Sequence, residues 1–416
     1  MKEGWEIRKL GNVCTIGDGN YSSKYPKASE FTSKGIPFLT ATNLKNGVII
    51  PDELRYISEE QHLTLTKGHV KKNDLVIVVR GSSTGNNSIV SEDYEGSNLN
   101  SQLAFLRANS NNLDSRYLFR VFNSPDVQRV VTNTISGAAQ PQLPNNKLLS
   151  IEIPIPPLSE QKRIVEILDE IFSTIAKAKA NIEKNLLNTK ELFENLSETL
   201  FTNKHNDWCD KSLSEIASFK NGLNFTKSSK GEIIKIVGVK DFQKNFWVPF
   251  NDLDSVIIDG KLDEIYFLRK DDIITVRSNG NPELIGRTLL AGSVTAKVSH
   301  SGFTIRIRLN SKDVFPAYLC HYLKSKKARK ELVERGTGVN IKSLNQTALS
   351  SLTISIPKFY DDQQSIVEKL ETFSSNAKKL QAVYNQKLND LEELKKCILQ
   401  KAFNGELTTA TKNLVA

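Results

Sequence analysis

At 416 residues the chain is long enough for two or more domains with sizeable cores, and 39% apolar with 25% charged residues is an ordinary soluble composition. A net charge of +9 favours a polyanionic partner without singling one out. The start, Met1-Lys2-Glu3-Gly4-Trp5-Glu6, lacks the apolar run of a signal peptide, no run of about 18 apolar residues could span a bilayer, and Cys14, Cys209, Cys320 and Cys397 form no metal-type pair, so a cytoplasmic protein with reduced thiols is expected.

Residues 1–157 read as a mixed α/β domain. Ile36-Pro37-Phe38-Leu39, Asp74-Leu75-Val76-Ile77-Val78-Val79, Ala104-Phe105-Leu106 and Ile151-Glu152-Ile153 read as strands, and residues 117–123 as a short helix. Polar loops lie between them, notably Arg80-Gly81-Ser82-Ser83-Thr84-Gly85-Asn86-Asn87 and Gly137-Ala138-Ala139-Gln140-Pro141-Gln142. Ile153-Pro154-Ile155-Pro156-Pro157 closes the domain, because proline cannot continue a strand ladder and disfavours helix in the residue before it.

Residues 158–203 form the next segment. Within it, 159–201 contains neither glycine nor proline, and Ile164, Leu168, Ile171, Ile175, Ala178 and Ile182 recur at helical steps. After a slip near Asn185, Leu186, Phe193, Leu196 and Leu200 resume the stripe. At 1.5 Å per residue such a helix spans about 64 Å, too long for an ordinary globular helix, and its apolar stripe needs a partner. A second globular segment, 204–357, intervenes before that partner arrives in 358–416, where Ile366, Leu370, Phe373, Ala377, Leu380, Tyr384, Leu391, Ile398 and Ala402 repeat the step. The two rods are expected to pair antiparallel. Residues 159–201 and 361–403 together carry a net −2, which leaves +11 on the rest of the chain.

Residues 204–357 repeat the plan of 1–157 at an offset close to 200. Trp5, Leu10 and Gly19 answer to Trp208, Leu213 and Gly222, and Lys72-Asn73-Asp74-Leu75-Val76 to Lys270-Asp271-Asp272-Ile273-Ile274, each strand ending near an arginine, Arg80 or Arg277. Tyr117-Leu118 and Ser124 match Tyr318-Leu319 and Ser325, and Gln161 with Ile164-Val165 matches Gln363 with Ile366-Val367. The fold class expected is therefore mixed α/β: two globular domains separated by a long antiparallel coiled-coil helix pair, an internal tandem repeat with pseudo-two-fold symmetry.

This plan resembles the specificity subunit of type I restriction-modification systems, over almost the whole chain. The residues that carry the resemblance are Ile153-Pro154-Ile155-Pro156-Pro157-Leu158-Ser159-Glu160-Gln161-Lys162-Arg163-Ile164-Val165, the run from Leu394 that ends in Gly405-Glu406-Leu407, Trp5, and the Asp74 to Arg80 strand with its Gly81-Ser82-Ser83 loop. The second rod departs from the pattern, since Lys358-Phe359-Tyr360-Asp361-Asp362-Gln363-Gln364 keeps only Gln363 and the following Ile366-Val367 step. The resemblance implies two target-recognition domains, each reading half of a bipartite sequence in double-stranded DNA, and a helix pair that sets the spacer. It also implies two methyltransferase (modification) subunits docked on the helices, and restriction/motor subunits in the full complex. S-adenosylmethionine, ATP and Mg would belong to those partners, with no cofactor on this chain.

Intrinsic catalysis finds little footing in the residues. Asn281-Pro282-Glu283-Leu284 fails the adenine-pocket pattern of a methyltransferase at two positions, the Gly81 to Gly85 loop lacks the lysine of a phosphate-binding loop, and Pro51-Asp52 lacks a nuclease's following acidic and lysine group. His62, His69, His205, His300 and His321 have no partner at metal-ligand spacing. A coiled-coil scaffold in which the rods are the active part and the flanking domains bind proteins, or a DNA-reading adaptor of a different methylation or restriction system, are the rival functions.

Base reading needs forked or amide side chains on base edges, and affinity needs cations on phosphates. In the first domain the candidates are Arg80, Ser82, Ser83, Asn86, Asn100, Gln102, Gln140 and Gln142, with Lys24, Lys27 and Lys72 on phosphates. In the second they are Arg277, Asn279, Asn281, Arg287, His300 and Asn340, with Lys227, Lys297 and Lys342 on phosphates. Tyr21, Phe225 and Trp247 read as core.

Overall fold

The computed structural model describes residues 2–20, 24–137, 139–202, 207–226, 228–243, 245–336 and 342–407. Two compact units emerge, one of Met1–Ile182 with Gln386–Ala416 and the other of Glu183–Asn385.

The first unit is built on an antiparallel sheet in the order Cys14–Asp18, Leu103–Ala108, Leu75–Val78, Asn87–Ile89. Leu75, Val76, Ile77 and Val78 are all buried because the strand is covered on both sides. Leu75 and Ile77 meet Leu10, Tyr117, Leu118 and Val121, while Val76 and Val78 meet Leu39, Val70 and Leu99. A smaller sheet of Arg55–Ile57, Ile36–Leu39 and Asn98–Leu99 lies on the latter side. Asp114 and Ser124 cap the helices Ser115–Phe122 and Pro125–Thr134 through their side chains. The strand expected to stop at Ile153 runs on as Glu152–Ile155, with Pro154 opposite Ile7 in the strand Glu6–Lys9. A proline is tolerated there because the ladder has only two strands, so the missing N–H is not owed to a second neighbour.

The second unit repeats this design. Its central sheet runs Ala217–Asn221, Thr304–Leu309, Ile273–Val276, Thr288–Leu290, and its smaller sheet Asp254–Ile257, Ile233–Val237, Val298–His300. The matched turns before the two buried strands have one geometry: Asn73 and Asp271 both adopt φ 71°, the left-handed region that Asn and Asp tolerate best after glycine. The next residue explains the acid. Asp74 accepts the Lys71 N–H at 2.7 Å and a fork from Arg107 at 2.8 and 2.6 Å. Asp272 accepts the Arg269 N–H at 2.6 Å and a fork from Arg308 at 2.7 Å in both arms.

The long helices span Leu158–Thr202 and Tyr360–Phe403, and each contributes to both cores. In the first unit Ile164, Val165 and Leu168 share a core with Leu399, Ala402 and Phe403; Lys395 lies over the Phe172 ring and Lys179 pairs with Glu392 at 3.0 Å. Residue numbers thus rise along one helix as they fall along the other, which is antiparallel packing. In the second unit Phe201 shares a core with Val367 and Leu370. Of the expected seam, Ile164, Leu168 and Leu370 are buried, and Ile171, Ile175, Ile182, Ile366, Phe373, Leu391 and Ile398 are half-buried. Leu380 departs from it at 41% exposure. The four-residue step from Ala377 lands on half-buried Gln381, which takes the inward position.

One side chain fixes each helix start. Gln161, fully buried, accepts the Asp114 N–H at 2.8 Å and donates to the carbonyls of Asn112 at 2.9 Å and Pro156 at 2.8 Å. Gln363 reproduces the set with Phe315 N–H at 2.7 Å, Asp313 O at 2.8 Å and Pro357 O at 3.0 Å. The divergent second lead-in therefore keeps the one residue whose bonds define the turn.

Candidate nucleic-acid interface

Two loops of the first unit are tied together at the end of the strand Leu75–Val78. Arg80 faces Gln142 across an antiparallel bridge, the Gly81 N–H donates to Pro141 O at 3.0 Å, and the Thr84 hydroxyl donates to Gly81 O at 2.7 Å and Pro141 O at 3.1 Å. Gly81 and Gly85 have φ 106° and 98°, which is why this turn takes glycine twice. The Val79 N–H reaches Gln102 O at 2.8 Å, so a third segment joins. Ser82, Asn86, Gln140 and Gln142 are exposed and Arg80, Ser83 and Gln102 half-buried. These seven sequence candidates thereby share one surface, held mainly by main-chain bonds.

In the second unit the same frame is drawn with other side chains. The Leu344 N–H donates to Arg277 O at 2.6 Å, where the first unit has Leu143 N–H to Val79 O, and the Arg277 N–H donates to Phe303 O at 2.9 Å, where it has Val79 N–H to Gln102 O. Ser278–Asn279 pairs with Lys342–Ser343. Arg277 consequently stands at the place of Val79, not of Arg80, whose place belongs to Ser278. A one-residue slip on a strand reverses the face. Arg277 is half-buried, and its Nε is enclosed without a hydrogen-bond partner. Asn279 is half-buried and accepts the Asn281 N–H at 2.8 Å; exposed Asn281 accepts the Glu283 N–H at 3.0 Å.

The family model of the type I restriction modification DNA specificity domain matches residues 2–187 and again 205–392. The chain belongs to this family. It is 26% identical to the type I restriction enzyme StySPI specificity subunit of Salmonella potsdam over 98% of this chain and 90% of that protein. Identity to the EcoKI specificity subunit of Escherichia coli (strain K12) is 24%, with the same coverage of 98% and 90%. In fold it is similar to a chain of a solved type I R-M system assembly, with TM-score 0.78, 18% identity and coverage of 98% and 99%, and to the HsdS subunit of Thermoanaerobacter tengcongensis, with TM-score 0.63, 18% identity and coverage of 98% and 98%.

Not every candidate reaches the loop surface of its specificity domain. Asn100 is buried and closes a turn, with Nδ2 donating to Gln102 Oε1 at 3.1 Å. His300 is fully buried beside Thr304 Oγ1 at 2.9 Å, away from the loop surface; burial, with Arg306 and Arg308 nearby, pushes its imidazole down to about 3. Lys72 sits at the opposite end of its strand from Arg80 and pairs with Glu92 at 2.7 Å, and Lys297 pairs with Glu232 at 2.8 Å. Exposed Lys24 and Lys27 stand on the smaller-sheet side, where the Gln61 amide donates to Lys24 O at 2.6 Å. Arg287 is half-buried, with Nε donating to Glu283 O at 3.1 Å. Tyr21, His205, Lys227 and Asn340 lie outside the described residues, as does the side chain of Lys342.

One surface residue escaped the sequence reading. Phe303 is 62% exposed at the place Gln102 occupies in the first domain, a position suited to a thymine methyl or a base face. Its signal was the offset of 201 that also relates Tyr117 to Tyr318. Phe225 and Trp247, expected in the core, are 37% and 48% exposed. The cysteines are free, with Cys14 and Cys320 buried, and burial pushes the Cys14 thiol up to about 12.

Proposed function

We propose that this chain is the DNA sequence-specificity subunit of a type I restriction-modification complex, each globular domain reading one half of a bipartite target. The observation that carries the reading is the repeated main-chain frame, which offers Arg80, Gln102 and Gln142 in one domain and Ser278, Phe303 and Ser343 in the other. The first set favours forked contacts to guanine or adenine, and the second smaller hydroxyl and apolar contacts. Two such surfaces would read two different half-sites.

The chain itself is non-catalytic in this proposal and acts in the cytoplasm. Two methyltransferase subunits would dock on the helices and restriction/motor subunits would join the full complex, with S-adenosylmethionine, ATP and Mg held by those partners. Supporting the docking role, Leu187, Leu192, Val383 and Leu394 on the long helices are 56%, 60%, 48% and 46% exposed, apolar side chains that a docked subunit would cover. No helix among the described residues is long and apolar enough to cross a membrane. The helix pair would fix the spacer between half-sites. The test is a hybrid in which residues 1–150 are exchanged for those of a relative. Its methylome should show one half-site changed and the other kept; a change in both, or in neither, would refute modular reading.

A further inference from the structure

We infer that the second domain carries a phosphate-binding pocket formed by Arg287, Lys324 and Arg329, three positions whose equivalents in the first domain are neutral. The three side chains line a cavity of about 350 Å³ together with Gln243, Asn245 and Thr288. Arg287 lies just ahead of the strand Thr288–Leu290, Lys324 ends the helix Pro316–Lys324, and Arg329 lies in the first turn of the helix Lys326–Glu334.

Among the described residues none of the three is ion-paired, and the lining contains no carboxylate. Their hydrogen bonds go to main-chain carbonyls instead: Arg287 to Glu283 O at 3.1 Å, Lys324 to Asn245 O at 3.3 Å, and Arg329 to Glu283 O at 2.8 Å and to Ile285 O. Glu194, on the first long helix, is occupied by Lys326 at 2.9 Å. Burial lowers the affinity of Lys324 and Arg329 for their protons, Arg287 adds to both effects, and the Glu283 carboxylate partly opposes them at Arg329. Three cations brought together in a partly enclosed space are held against repulsion that a bound anion would relieve.

The repeat shows that the fold does not require this charge. At the same places the first domain has Asn86, Asn123 and Gln128, all neutral. Asn123 and Asn87 exchange amide bonds of 3.1 and 2.8 Å, and Gln128 donates to Phe122 O at 2.8 Å. In the first domain these amides line a larger cavity of about 960 Å³ beside Arg120, which pairs with Asp169, so the fold needs no cation at these three places and those of the second domain can serve a ligand. An ammonium and two guanidinium forks keep donors to spare after their carbonyl bonds, and match the several oxygens of one phosphate. The phosphate is either one of the DNA backbone, a source that rests on the function proposed above, or a free one.

The test converts the pocket to the amide set of the first domain, R287N/K324N/R329Q, in the full chain, with K326Q as a control outside the pocket. Binding to sheared duplex DNA is measured across a salt series, and melting with and without inorganic phosphate. The expected result is a log K against log salt slope shallower by about 0.9, one phosphate contact, in the triple variant and unchanged in K326Q. Phosphate stabilisation in wild type but not in the variant extends the pocket to free phosphate, whereas a shallower slope without it assigns the pocket to DNA alone. An unchanged slope together with equal melting shifts overturns the pocket. If the wild type does not bind DNA, the functional reading fails, and the phosphate arm alone then decides: a wild-type shift lost in the variant supports the pocket, and no shift overturns it. Should the triple variant not fold, K324Q is read in the same way, since Lys324 makes one long main-chain bond there.

Discussion

Replacing Gln161 by leucine removes one acceptor and two donors from a fully buried side-chain position. The Asp114 N–H and the Asn112 and Pro156 carbonyls lose their partner, each at about 1–3 kcal/mol when left unsatisfied in an interior. Leucine recovers some apolar burial, so the net loss is about 3–5 kcal/mol, a large share of a domain's usual 5–15 kcal/mol. For a unit near 200 residues that corresponds to roughly 10 °C in melting temperature. Q363L should do the same in the second unit. Calorimetry or pulse proteolysis resolved by unit distinguishes them: Q161L should weaken the unit that holds residues 1–182, Q363L the one that holds 183–385. Q364L, at an exposed neighbour, is the control and should stay within about 0.5 kcal/mol. A Q161L protein that melts within a degree or two of wild type would show that the three bonds do not hold the helix start.

Leu168→Asp places a carboxylate among Ile164, Leu399 and Phe403 and should cost several kcal/mol, read as a lower denaturant midpoint; an unchanged midpoint would count against a packed seam. His300 has a folded pKa of about 3 against about 6.5 unfolded, so the unfolded state takes up the proton first: stability is unaffected above about pH 6.5, falls as pH drops below it, and levels off near pH 3. At pH 5 that single group costs about 2 kcal/mol, and His300→Gln, measured from pH 7 to 5, should show a correspondingly flatter decline.

The long helices and the duplication were legible because periodicity and repeated spacing survive without knowledge of tertiary contacts. Faces at strand ends were not. Between the equivalent strands the second domain has three more residues, from Val276 to Thr288 against Val78 to Asn87, and this insertion hides the one-residue shift that puts Arg277 where Val79 stands. Polar type also misled at Asn100 and His300, since each makes a partner inside the fold that spacing alone does not reveal. Leu380 fell out of the seam because an alternative four-residue step was available through Gln381. Phe303 was passed over because an aromatic beside a strand usually reads as core, and only its equivalence to Gln102 marks it as surface.

The two kinds of duplicated position behave oppositely, and under the proposed function that difference would let one scaffold read two sequences. Asp74 with Arg107 and Asp272 with Arg308, Tyr117 and Tyr318 with their hydroxyls on Pro154 O and Ser355 O, and Gln161 and Gln363 keep the same side-chain bonds in both units. At the loop surface the bonds shared by both units are main chain to main chain, with the Thr84 hydroxyl adding to them in the first unit. Gln102 and Phe303 occupy one position with unlike chemistry for that reason. A substitution of exposed Phe303 should change which base is read at a cost within about 0.5 kcal/mol of folding stability, whereas one at Gln161 or Gln363 costs several kcal/mol without touching a base-reading side chain. Recognition is therefore free to diverge between the domains as long as the bonds that hold each domain to its helix do not.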